Sequence, residues 1–293
     1  MRIPIFFKQY SLLIYFALTF AISWGGILLI ISGFGGIPTT KEQFETQLPY
    51  AIPAMLGGPG VAGILMISLI NGVSGFRKLL SSFLKWRVNV RWYLIALLTA
   101  PFVLMATLLA LSQISPVFLP GILESNNKAP MLLSGIIGGV TVAIFEELGW
   151  TGFAVPRLRE RYSILTSGII VGVLWGAWHI LSNDIWPSSA YSGELSPVLF
   201  LTVNGFIFLI GQLPAYRVLM VWVYDRTGSL LVAMLMHASL TASTLILGPL
   251  AISGISLLIY NLVSAAVMWI IVIAVVTVNR GKLKQQPISR KED

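Results

Sequence analysis

Cysteine is absent from the 293 residues. That removes disulfides, thiolate metal sites, a cysteine nucleophile and C-terminal prenylation of this chain itself. Charge is scarce: Asp, Glu, Lys and Arg make up 10% of the chain, against roughly 25% in a soluble domain. So few charges cannot cover a water-soluble globule of this size, and lipid is the expected solvent. The net charge of +8 does not point to nucleic acid, because Lys and Arg stand in short clusters between apolar runs, where membrane topology puts them. Long linkers, low-complexity stretches and internal repeats are also missing, so residues 1–293 read as a single membrane domain. No small-residue cleavage site follows the first apolar run, Leu12 to Gly33, which reads as a retained helix.

What the chain does have is apolar length. Hydrophobic residues make up 56% of it, and the mean hydropathy is +0.86. A transmembrane helix needs about 20 mostly apolar residues. Eight segments qualify, at 10–33, 51–71, 92–114, 131–155, 163–182, 198–215, 229–248 and 254–278. The sixth is crowded at its end by Gln212, Pro214 and Arg217, and can run on to Tyr224. The expected fold is all-α, a polytopic transmembrane helix bundle of about eight spans. Gly57-Gly58-Pro59-Gly60 should kink or break the second span, whereas Gly168, Gly172 and Gly176 have the four-residue spacing of close helix packing.

Orientation follows from the basic residues. With a cytoplasmic N-terminus, 17 of the 19 Lys and Arg, Arg217 among them, fall in cytoplasmic loops or tails, and only Lys41 and Lys128 fall outside. The positive-inside bias predicts such a split for an even number of spans with both termini cytoplasmic. The setting expected is a prokaryotic plasma (inner) membrane.

Of the eleven acidic residues, only the adjacent Glu146 and Glu147 lie within a span, and both histidines are intramembrane, His179 in the fifth span and His237 in the seventh. No Lys or Arg needs to sit at the centre of a span. Burying a carboxylate in a bilayer costs about 2.5–3.5 kcal/mol on insertion scales, so such residues mark functional sites. With no other buried charge in view, two carboxylates and two imidazoles most simply satisfy one another around one polar cavity. Their chemistry is hydrolytic by either of two routes. Two imidazoles and a carboxylate can hold a zinc ion with an open position for water. Alternatively, a desolvated glutamate can activate water while histidines polarise a carbonyl. Adjacent glutamates differ by about 100° around a helix, so one faces the reacting centre and the other has a structural partner.

The segment Phe145-Glu146-Glu147-Leu148-Gly149-Trp150-Thr151-Gly152-Phe153, with Pro156-Arg157-Leu158 after it, resembles the first motif, Glu-Glu-x-x-x-Arg, of the CPBP family. This family of intramembrane proteases takes in the CAAX prenyl endopeptidases and the bacteriocin-processing or immunity (Abi-type) proteins. Trp175-Gly176-Ala177-Trp178-His179 is similar to the second motif, an aromatic residue four before a histidine. His237-Ala238-Ser239-Leu240-Thr241 resembles the third, His-x-x-x-Asn. The resemblance covers about residues 131–248 as a catalytic core. It implies hydrolysis of a peptide bond in a membrane-associated or lipid-modified protein, with Glu146 activating water. His179 and His237 would then bind a metal, Zn2+ together with Glu146, or stabilise the oxyanion.

Two positions depart from the pattern. Thr151 stands where the motif has arginine, which leaves Glu147 without its i,i+4 cation and suggests that it is protonated or paired elsewhere. Thr241 stands in the place of asparagine and offers a hydroxyl in place of an amide. These departures keep a second reading in view, a relative that works by binding, as in bacteriocin immunity or scaffolding. A third is a proton-coupled transporter, against which stands the lack of internal repeats.

Overall fold

The computed structural model describes residues 5–187, 192–279 and 283. Arg2 and the tail cations from Arg280 to Lys291, counted above as cytoplasmic, lie outside the described residues. Among the described residues, eight helices are long and apolar enough to cross a membrane, as expected. They are α1 (Ser11–Gly33), α2 (Lys41–Phe83), α3 (Val90–Ser112), α4 (Lys128–Arg159), α5 (Ile164–Asn183), α6 (Pro197–Thr227), α7 (Leu230–Leu247) and α8 (Gly254–Val278). No strand occurs among the described residues. Side chains of Thr40, Asn89, Ser163, Ser196 and Ser229 accept from the first-turn N–H groups of α2, α3, α5, α6 and α7. Each satisfies a donor that the helix cannot pair itself.

Two helices are much longer than expected. α2 has 43 residues, and its non-helical residue is Gly72 (φ 52°, ψ −141°) rather than any of Gly57 to Gly60. The expected break at that stretch does not occur, because its small residues are spent on close approach. A Cβ on Gly58 would lie 2.5 Å from Thr19 O, one on Gly60 2.8 Å from Phe145 O, and one on Gly63 2.7 Å from Gly149 Cα. Pro59 has no N–H to offer the carbonyl of Met55, which instead accepts from Ser23 Oγ on α1 at 2.5 Å. The helix thus continues through a proline because a neighbouring hydroxyl takes over the orphaned acceptor.

α6 runs to Thr227, past Arg217, which is fully buried. The assignment of Arg217 to a cytoplasmic loop is therefore corrected, and so is the expectation that no arginine sits within a span. The apolar run Val218 to Val223 that follows it can be buried only if the helix continues.

Three π-helical turns interrupt the bundle: Trp150–Ala154 in α4, Ile180–Ile185 in and just beyond α5, and Ile207–Gln212 in α6. Each adjoins a segment that carries a titratable residue, as such turns often do at functional sites. Straight helices would set His179 nearer the opposite face from Glu146 and His237, yet all three line one cavity.

α5 lies directly on α6 along the expected glycine row. A Cβ on Gly168 would stand 2.6 Å from Val218 Cα, and one on Gly172 would stand 2.4 Å from Pro214 Cα. Gly172→Ala is therefore expected to destabilise the protein by about 1–3 kcal/mol through overpacking. Gly57→Ala, whose Cβ meets nothing within 4 Å, should be neutral or up to about 1 kcal/mol stabilising. Thermal unfolding of both variants in detergent checks the two opposite signs.

Candidate active site

The first motif divides its two carboxylates as helix geometry requires. Glu146, on α4, lines a cavity of about 520 Å³ whose walls include Trp175, His179, His237 and Thr241. Its Oε2 accepts from Trp175 Nε1 at 2.7 Å and from Trp150 Nε1 at 3.2 Å. Its Oε1 has no hydrogen bond to any described residue. Two indole donors on one oxygen fix the carboxylate's direction and leave the other oxygen free to act.

Glu147 points away from the cavity into a closed polar knot. Both of its oxygens accept from Arg217 Nη1, at 2.8 and 2.9 Å. Oε2 also accepts from the Thr151 hydroxyl, and Oε1 faces His237 Nδ1 at 2.6 Å. Glu147 and Arg217 are fully buried. The Arg217 guanidinium lies 4.1 Å from the centroid of the Trp175 ring, where the indole face attracts a desolvated cation. Its Nε and Nη2 find no hydrogen-bond acceptor among the described residues.

Glu147 is thus paired elsewhere. The cation missing at position 151 arrives from α6, and Thr151 keeps a hydrogen bond to the same carboxylate. The four intramembrane residues do not simply satisfy one another, since Arg217 is a fifth member. Sequence reasoning missed Arg217, although Thr151 had already announced a need for a cation and an apolar run follows Arg217. It also missed Trp150 and Trp175 as donors to Glu146.

The histidines take their tautomers from their partners. His179 Nδ1 lies 2.8 Å from Trp175 O, an acceptor only, so Nδ1 carries the proton. His237 Nδ1 faces a carboxylate already engaged by arginine and is likewise the donor. With Nδ1 as the donor, each ring in its neutral form turns a bare Nε2 to its surroundings. His237 Nε2 is 4.0 Å from Glu146 Oε2. The aromatic residue four before the histidine gains a physical meaning here: the Trp175 carbonyl orients His179 while its indole orients Glu146. Thr241 lies on the cavity wall one turn after His237.

Zinc held by His179, His237 and Glu146 would need those three side chains gathered, and among the described residues no group of three His, Asp or Glu side chains is gathered to hold a metal.

A pinned carboxylate and two oriented imidazoles in a cavity inside a helical membrane bundle have the composition of a hydrolase site. Residues 128–243 match the family described as Rce1-like, type II CAAX prenyl endopeptidase. The CAAX prenyl protease 2 of Methanococcus maripaludis is 25% identical over 199 residues, 64% of this chain and 67% of that protein. The resemblance to the CPBP family drawn from three short motifs is thereby borne out, protease being the class that both matches name; neither specifies the Abi type.

Removing one partner of a buried ion pair leaves the other charge uncompensated, at a cost of about 3–5 kcal/mol. Arg217→Gln is expected to lose stability on that scale. The double variant Glu147→Gln/Arg217→Gln, with neither charge left, should recover at least half of it. A double-mutant cycle by chemical denaturation measures the coupling.

Proposed function

We propose that this chain is an intramembrane endopeptidase that hydrolyses a peptide bond in a membrane-associated or lipid-modified, CAAX-type protein or peptide. We place it in a prokaryotic plasma membrane with both termini cytoplasmic, an orientation that rests on the basic residues left after Arg217 is moved into the bundle. The observation that carries the reading is the Glu146 carboxylate. It is held by two indoles on Oε2, is free at Oε1, and shares a cavity with two histidines.

In the reaction we infer, a water bridges Glu146 and His237 Nε2, a 4.0 Å separation that one water spans at a bent angle. Glu146 Oε1 takes a proton from that water as its oxygen bonds to the scissile carbonyl carbon. The carbonyl π pair moves to oxygen, to which the hydroxyl of Thr241, a residue of the cavity wall, donates in this reading. When the tetrahedral intermediate collapses, the C–N bond breaks. The proton held by Glu146 passes to the leaving nitrogen, which restores the carboxylate. His179 orients water or substrate through its bare Nε2. Glu147 does not serve as the base, because its oxygens are occupied by Arg217, Thr151 and His237. Its role is to hold the His237 ring and tautomer, and the route uses no metal. Apolar walls that include Met55, Leu104, Phe208 and Leu240 suit a substrate bearing a lipid or apolar residues.

Glu146→Gln keeps the shape and an acceptor for the indoles but cannot take a proton. In nanodiscs it is expected to cleave a quenched, prenylated peptide at least about 100-fold more slowly than the native protein, with thermal unfolding unchanged. Cleavage that survives in Glu146→Gln overturns the assignment of the base. If the native protein cleaves no prenylated or unmodified member of a peptide library, the protease reading gives way to a binding role.

A further inference from the structure

The bundle has a second large recess, remote from the Glu146 cavity in its lining. It is a groove of about 730 Å³ between the start of α3 and the ends of α6 and α8. Its apolar wall is formed by Ile270, Ile271, Ala274 and Val278 of α8, and Ile270 and Val278 are exposed on the outer surface of the bundle. Arg91 in the first turn of α3 and Arg226 in the last turn of α6 also line it, and both are exposed. Helix ends fix the depth: the groove's apolar length runs into the bundle, and its two cations stand at one membrane boundary.

In a bilayer, an apolar groove open at the bundle surface is filled by acyl chains, so only the headgroup remains to be specified. The charges specify it. Neither arginine forms an ion pair with a carboxylate among the described residues. Arg91 lies over the Trp92 ring with Cζ 5.1 Å from its centroid, and Arg226 Nη2 contacts Asn279 Oδ1 at 3.4 Å. These weak contacts orient two guanidinium groups without neutralising them. Trp222 also lines the recess and stands edge-on to Trp92, with centroids 5.1 Å apart, which adds an aromatic wall beside the two guanidinium groups.

We propose that this groove is a binding site for one anionic phospholipid. Arg91 and Arg226 clasp the phosphate, and an acyl chain lies along α8 and the Trp222 ring. Arginine presents paired N–H donors that match phosphate geometry. Basic pockets between transmembrane helices on the cytoplasmic side suit anionic lipid. The same end of the bundle carries Arg77, Lys78, Lys85, Arg87, Arg157, Arg159 and Arg161, the cytoplasmic side by the positive-inside count.

The test is lipid retention by the purified full-length protein, read by native mass spectrometry after equilibration with equimolar phosphatidylglycerol and phosphatidylcholine. Two cations contributing about fivefold each predict a preference for phosphatidylglycerol of about 25-fold. Arg91→Gln/Arg226→Gln should abolish that preference. Arg77→Gln/Arg161→Gln removes the same charge from the same end outside the groove and should leave it intact. Ala274→Trp, which fills the groove without touching its charge, should lower retention of both lipids. The proposal is overturned if the two double variants lose the preference equally, which would mean diffuse surface charge. Equal retention of the two lipids by the native protein, or undiminished retention by Ala274→Trp, overturns it as well.

Discussion

The buried contact between Arg217 and Glu147 organises the rest of the site. A carboxylate and a guanidinium withdrawn from water each carry a large desolvation cost, which their mutual attraction offsets only when geometry and further hydrogen bonds are good. Here Glu147 receives Arg217 from α6, Thr151 from its own helix and His237 from α7, and the Trp175 ring of α5 covers the guanidinium. One residue of α4 thereby fixes the relative placement of four helices. Each oxygen of Glu147 is engaged by Arg217 and by one further donor. His237 is presented in one orientation and one tautomer, and Trp175, held under Arg217, is positioned to donate to Glu146. Glu146 is thus oriented by an indole whose own placement depends on contacts that Glu146 does not make.

The division between the two glutamates follows from the same economy. An intramembrane carboxylate that is fully paired is structurally secure and chemically inert, and one that is unpaired is reactive and costly. Glu147 is paired on both oxygens. Glu146 is paired on one, by two indoles that supply hydrogen bonds without supplying charge. Adjacent positions, about 100° apart on one helix, let the protein hold both states side by side.

Much of this was legible in the residues. Eight spans, the pairing of one glutamate with a structural partner, and the glycine row Gly168, Gly172 and Gly176 all follow from apolar length, helical angle and side-chain size. The failures share a cause. Arg217 was read as a loop residue because a single cation in an apolar context looks like a boundary, and its partner lies 70 positions away in the chain. The stretch Gly57 to Gly60 was read as a kink or break because glycine and proline weaken an isolated helix. The compensating acceptor contact, Ser23 to Met55, belongs to another segment. In both cases local preference was overruled by a tertiary hydrogen bond that single-sequence reasoning cannot see.

Relocation of the cation also bears on how the motif should be understood. In the Glu-Glu-x-x-x-Arg pattern the arginine stands one turn from the second glutamate, an i,i+4 ion pair within one helix. In this chain the position holds Thr151, and the charge comes from across the bundle, through Arg217, to the same carboxylate. What the site needs is therefore not an arginine at a given offset but a cation on Glu147, since without one His237 would face an uncompensated carboxylate. A cation donated from α6 ties the site to that helix in a way an intrahelical pair would not. Any shift of α6 along α5 must stretch the Arg217 contact, and the glycine row, with Val218 and Pro214 seated directly on Gly168 and Gly172, resists that shift. Close packing at small residues and a buried ion pair thus both hold α6, the first against α5 and the second against α4.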